Sequence, residues 1–138
     1  MEAKITWNGS MQFTGSADSG FSIPLDASSD HGGQNGGFQP LELLLVGLVG
    51  CTGMDVISIL QKKKANVSAF EVRVAAERAE EHPRVFTHLH VEYIVTGKDI
   101  KLEDVERSVQ LSETKYCPAE AMLRKAATID SKITIIQE

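Results

Sequence analysis

Two kinds of hydrophobic spacing divide the chain. Residues 3–7 and 11–14 are short runs of β-prone side chains, joined through Asn8-Gly9, a dipeptide that readily takes the positive φ values of a tight hairpin. A third strand is expected at 21–25. Residues 26–38 are rich in Gly, Ser, Asp and Asn and have no apolar period, so they read as loop. At Pro40 the pattern changes, because proline suits the first helical position and 41–64 then runs without another. The first half of this central helix is apolar around almost its whole circumference, as in a helix enclosed by other elements. Gln61 and three lysines end it with the positive charge that a helix C-terminus favours.

Strict alternation follows. Phe70, Val72, Val74 and Ala76 share one face, and Val85, Leu89, Val91, Tyr93 and Val95 share another, which predicts a β-hairpin. Over 102–116, Leu102, Val105, Val109 and Tyr116 recur at helical spacing among charged residues, predicting an amphipathic surface helix. Pro118 suits the start of a further short helix through about residue 125, with Cys117 at its N-cap. Ile133 and Ile135 belong to a closing strand. The order of elements gives an α+β class and a single domain over 1–138, with no repeat or linker.

Composition narrows the function. At 138 residues, 42% hydrophobic and 24% charged, the chain is long enough to bury a core without staples. A net charge of −5 offers no basic footprint, so nucleic acid is not an expected partner. The N-terminus lacks a charged-then-apolar leader, and the apolar run 41–51 is shorter than a bilayer span, so a cytoplasmic protein without a membrane partner is expected. In that reducing compartment Cys51 and Cys117 are reactive or buried thiols rather than a permanent bridge.

The thiolate is the working form of cysteine, and at a pKa of about 8.5 only about 3% of a free thiol is ionised at pH 7. Burial on an apolar helix, with Asp55 one turn on and on nearly the same face, opposes ionisation of Cys51. His31, Arg84 and Lys115 are the cations that tertiary folding or a second subunit would have to bring in. Cys117, at the positive end of its helix, has a local reason to ionise more easily. Asp55, a carboxylate amid apolar neighbours, needs either a partner or a place where the helix meets water. Leu44, Leu48, Met54 and Phe38 suit a core or one wall of an apolar pocket equally. His88, His90 and Glu92 alternate at a spacing that a metal can use, but Glu71, Arg73 and Glu77 on the neighbouring strand make the face read as solvated, and no metal is assigned.

Together, Gly32-Gly33, Pro40-Leu41-Glu42-Leu43-Leu44, Gly50-Cys51-Thr52 and the distant Tyr116-Cys117-Pro118 resemble the OsmC/Ohr family of thiol peroxidases. Residues 51–56, Cys-Thr-Gly-Met-Asp-Val, resemble its YhfA-like branch. The resemblance implies an OsmC-like fold of antiparallel sheets packed on a long central helix, in an intertwined homodimer with a site at the interface. It also implies reduction of a small organic hydroperoxide, with Cys51 attacking, Cys117 resolving, an external dithiol as reductant, and no cofactor. Two positions depart from the peroxidase pattern. Leu41 stands where those enzymes place a Glu, and the carboxylate falls instead on Glu42, which at about 100° per residue points away from Cys51. Those enzymes also supply an Arg from the N-terminal region, whereas Arg73 is the first Arg here. These departures keep open an alternative, a non-catalytic or redox-sensing member that binds a small apolar or thiol ligand.

Overall fold

The computed structural model describes residues 1–138, which form two compact units, Met1–Val46 and Gly47–Glu138. In the first, β1 (Ala3–Gly9), β2 (Gln12–Ala17) and β3 (Ser22–Leu25) make an antiparallel meander in the order β1-β2-β3. The hairpin turn lies beyond its expected dipeptide: Gly9 pairs with Gln12, leaving Ser10 and Met11 at the tip. Gly9, at φ 102°, sits instead at a bulge after Trp7, the kind of position that glycine tolerates.

The glycine-rich loop is tightly organised. Asp26 is buried, and its carboxylate accepts the backbone N–H groups of Ala27, Gln34 and Gly36 at 2.8, 3.2 and 3.0 Å. Burial pushes the Asp26 carboxyl up, but the bonds from Gly36, Ala27 and Gln34 outweigh it and hold the group below its ordinary value. A side chain at Gly33 would put its Cβ 1.9 Å from the Ala27 carbonyl oxygen, so this glycine serves a close backbone approach.

Helix α1 (Pro40–Lys62) runs from the first unit into the second. Its buried residues Leu48, Thr52, Val56 and Leu60 recur every fourth position and form one stripe. The expected enclosure on all sides is therefore absent within one chain, where Val46 and Met54 are 53% and 74% exposed. The apolar stretch extends beyond 41–51. Only Asp55 is charged between residues 43 and 60, so the whole helix is long and apolar enough to cross a membrane by length and composition, although 41–51 alone is not.

In the second unit β4 (Asn66–Arg78) pairs antiparallel with β5 (Phe86–Lys98). Strand β6 (Thr128–Gln137) lies on the far side of β5 and runs parallel to it, so this sheet is mixed where antiparallel sheets were expected. Between β5 and β6 come α2 (Leu102–Leu111), a π-helical turn (Ser112–Tyr116) and α3 (Pro118–Leu123), a helical crossover that returns the chain to the starting end of the sheet. Leu89, Val91, Tyr93 and Val95 fill the inner face of β5 as their alternation predicts. Val85 does not join them: a register shift between Glu77 and Arg78 leaves it half exposed before the strand and turns Phe86 inward. From α2 Val105, Ser108 and Val109 are buried, while Leu102 and Tyr116 face outward.

Candidate active site

Two bonds bring the distant cysteines together. The hydroxyls of Thr52, fully buried in α1, and Ser112, at the start of the π-helical turn, meet at 2.8 Å. Five residues on, the Cys117 N–H donates to the Ser112 carbonyl at 2.9 Å. The Cys51 thiol, half-buried beside Thr52, lies near enough to that of Cys117 to raise its proton affinity, and both thiols are free.

Cys117 is the N-cap of α3, its Sγ accepting the Glu120 N–H at 3.3 Å. The expectation that this position favours its thiolate does not survive burial. Cys117 is 3% exposed, and burial pushes the thiol up to about 12. The Glu120 N–H pulls against that rise, while Cys51 and the Glu120 carboxyl add to it. Helix α3 spans six residues, too few to offset desolvation. Cys51 is the more exposed of the two thiols.

Sequence spacing gave no sign of the polar row behind the thiols. Ser112 Oγ donates to Asp55 Oδ2 at 2.9 Å, Thr52 Oγ1 lies 2.8 Å from both Ser112 Oγ and the Tyr93 hydroxyl, and that hydroxyl donates to Glu113 at 3.3 Å. With Ser112 donating to Asp55 and Tyr93 to Glu113, the single Thr52 hydrogen serves one neighbour and leaves the other oxygen contact bare. Burial pushes the Tyr93 phenol up, so its hydrogen stays in place. Glu120, 1% exposed, pairs with Arg124. Burial pushes the Glu120 carboxyl up and Glu113 adds to this, while Arg124 opposes it.

The supporting residues named from sequence are scattered. Asp55 has its partner in Ser112 and lines a cleft of about 310 Å³ with Ser58, Ile59, Lys62, Leu111 and Tyr116. Glu42 Oε1 accepts the Gln39 N–H at 2.7 Å, so it closes the first turn of α1. His31 is exposed and bonds through Nδ1 to Ser28 Oγ at 2.9 Å. Arg84 lies in the β4–β5 connection, where its carbonyl accepts the Arg78 Nε–H at 2.9 Å. Lys115 holds its ammonium 5.2 Å from the centre of the Tyr116 ring. The groups that shift Cys117 are Cys51 and Glu120, and neither is a cation. Leu48 is core, whereas Phe38, Leu44 and Met54 remain 40%, 50% and 74% exposed.

A thiol pair in this setting can cycle between dithiol and disulfide. Residues 32–132 match the protein family described as OsmC-like protein. Protein YhfA of Escherichia coli strain K12 is 39% identical over 136 residues, covering 99% of this chain and 98% of that protein. Among solved structures, the OsmC-like protein of Mycoplasma pneumoniae superposes with a TM-score of 0.82 at 19% identity, covering 98% of this chain and 96% of that one. The organic hydroperoxide resistance protein OhrB of Bacillus subtilis does so with a TM-score of 0.63 at 20% identity, covering 97% and 98%. At these two identities the likeness is one of fold.

Proposed function

The chain belongs to the OsmC-like family, and on that premise we propose that it is a cytoplasmic, homodimeric, thiol-dependent reductase of organic hydroperoxides. The observation that carries this reading is that two free thiols 66 residues apart in sequence, Cys51 and Cys117, come near enough for one to raise the proton affinity of the other. In the proposed cycle the Cys51 thiolate attacks the outer peroxide oxygen and the O–O bond breaks. The alkoxide takes a proton and departs as an alcohol, leaving Cys51 as a sulfenic acid. The Cys117 sulfur then attacks Cys51; the S–S bond forms, the S–O bond breaks, and the hydroxyl leaves as water with the Cys117 proton. An external dithiol supplies two electrons and two protons to restore both thiols. Accessibility at Cys51 and burial at Cys117 suit this division of roles.

Two further observations support parts of the reading. OhrB, by its name, confers organic hydroperoxide resistance, and it shares this fold. The apolar side of α1 left open in one chain, with Leu44, Val46 and Met54 each at least half exposed, suits cover by a second copy. One observation favours a redox-sensing or ligand-binding protein instead: the charged group acting on Cys117 is the anion of Glu120, which opposes thiolate formation.

Purified protein given an organic hydroperoxide and a dithiol distinguishes these readings. Steady turnover, lost in Cys51→Ser and with disulfide formation lost in Cys117→Ser, supports the reductase. A disulfide formed without turnover overturns it in favour of a sensor, and neither product leaves a binding protein.

A further inference from the structure

On the outer face of the β4-β5-β6 sheet, four ligand-type side chains converge from three adjacent strands. Glu77 of β4 stands opposite His88 of β5, and His90 of β5 stands opposite Asp130 of β6. Because His88 and His90 are two apart, both rings rise on the same face. They stack with centroids 3.9 Å apart and planes inclined by 24°. A carboxylate closes each edge of the stack. Glu77 Oε2 lies 2.9 Å from His90 Nε2 and 3.6 Å from His88 Nδ1. Asp130 Oδ2 lies 2.5 Å from His88 Nε2 and 3.0 Å from His90 Nδ1. We propose that Glu77, His88 and His90 form a binding site for a divalent transition-metal ion of the zinc class, with Asp130 accepting from the ring nitrogens on the opposite edge.

Proton counting makes the case. Two neutral imidazoles carry two N–H groups, yet four ring nitrogens face carboxylates, so two of the four contacts set a lone pair against a lone pair. Filling all four with hydrogen makes both rings cationic, and they then stack charge on charge at 3.9 Å. A dication removes the conflict, since neutral imidazole nitrogen and carboxylate oxygen both donate to it and the two carboxylates balance its charge. Ligand atoms held about 2.0–2.2 Å from zinc lie roughly 3.3 Å from one another. One donor atom each from Glu77, His88 and His90 already fall within 4.8 Å.

The surroundings keep the cluster negative. Arg73 and Lys132 flank it along the same groove, but Arg73 is paired with Glu71 at 2.5 Å, and Lys132 lies 4.0 Å from Glu92. Glu92, which the spacing alone would have grouped with the histidines, receives the Thr134 hydroxyl at 2.8 Å and stays out of the cluster. A mixed nitrogen and oxygen donor set suits zinc, nickel or copper better than calcium or magnesium. Protons compete with a metal for the same ring nitrogens, which must be deprotonated to ligate it.

Calorimetric titration of the tag-free, full-length protein with zinc chloride tests the site. One ion per chain should bind, and His88→Ala and His90→Ala should each weaken binding by more than about tenfold. Asp130→Asn should weaken it too, while Cys51→Ser and Cys117→Ser bind as the unsubstituted protein does. Circular dichroism spectra unchanged in the histidine variants separate lost ligands from lost folding, and His90→Gln provides a milder replacement. Cobalt substitution should give visible bands without a thiolate charge-transfer band. Zinc binding that is undetectable at millimolar metal, unchanged in both histidine variants, or abolished by either cysteine substitution overturns the proposal.

Discussion

The hydroxyls of Thr52 and Ser112 meet at 2.8 Å and bind the central helix to the turn that carries Cys117. One neighbour of Thr52 along the chain is Cys51; the carbonyl of Ser112 receives the Cys117 N–H. Thr52→Val keeps the shape, removes the hydroxyl and leaves Tyr93 and Ser112 without their shared partner. The loss should be about 1–3 kcal/mol in chemical denaturation. Disulfide formation between Cys51 and Cys117 should slow in the same variant, and an unchanged midpoint together with an unchanged rate contradicts this account.

Cys117 holds its proton more tightly when folded than when unfolded, since burial pushes the thiol up to about 12. The native state therefore binds more protons than the unfolded state above the ordinary thiol range. The resulting stability is fully present below about pH 8.5 and declines as pH rises toward 12. Cys117→Ala should flatten that alkaline decline relative to the unsubstituted protein when unfolding midpoints are followed between pH 8 and 10.5. Alkylation at pH 8 should label Cys51 well ahead of Cys117, as read by mass spectrometry of peptides.

Arg124 is the cation paired with the buried Glu120 carboxyl. Arg124→Ala strands that carboxyl, and because the guanidinium is half exposed the cost should fall near the low end for such pairs, about 1–3 kcal/mol at pH 7. Glu120 already takes up its proton at a higher pH than an ordinary carboxyl, with burial the main cause. The penalty should therefore shrink as pH falls from 7 toward 5 and the stranded group becomes neutral. A pH-independent penalty in paired denaturation curves contradicts the assignment.

Met54 is 74% exposed near the middle of α1. If a second copy covers this side of the helix, Met54→Lys places an unpaired charge in the contact. Sedimentation should then show the dimer giving way to monomer. Equal sedimentation of Met54→Lys and the unsubstituted chain contradicts the arrangement.

Local spacing carried most of the architecture. Proline at position 40, alternation through Leu89, Val91, Tyr93 and Val95, and the Cys117-Pro118 start of a short helix each follow from forces acting within a few residues, and they stand in the fold as read. The direction of β6 did not follow, because strand orientation depends on the path of the whole crossover. The thiols were legible as a pair by resemblance, but the proton affinity of Cys117 was misjudged: a cap position is visible locally, whereas desolvation by the rest of the fold is not. Thr52, Ser112 and Tyr93 gave no signal at all, since hydroxyls separated by 60 and 41 residues reveal nothing until they touch. The partnership of Glu77 and Asp130 with the histidines likewise depends on register across three strands.

A row of hydroxyls with one hydrogen too few has a direction. When Thr52 turns toward Ser112 the empty gap faces Tyr93, and when it turns toward Tyr93 the gap faces Ser112. A proton added at Asp55 or at Glu113 supplies the missing hydrogen, and the O–H bonds of the row then point away from the end that received it. The helix bearing Cys51, the strand bearing Tyr93 and the turn leading to Cys117 thus share a molecular compass whose needle is Thr52.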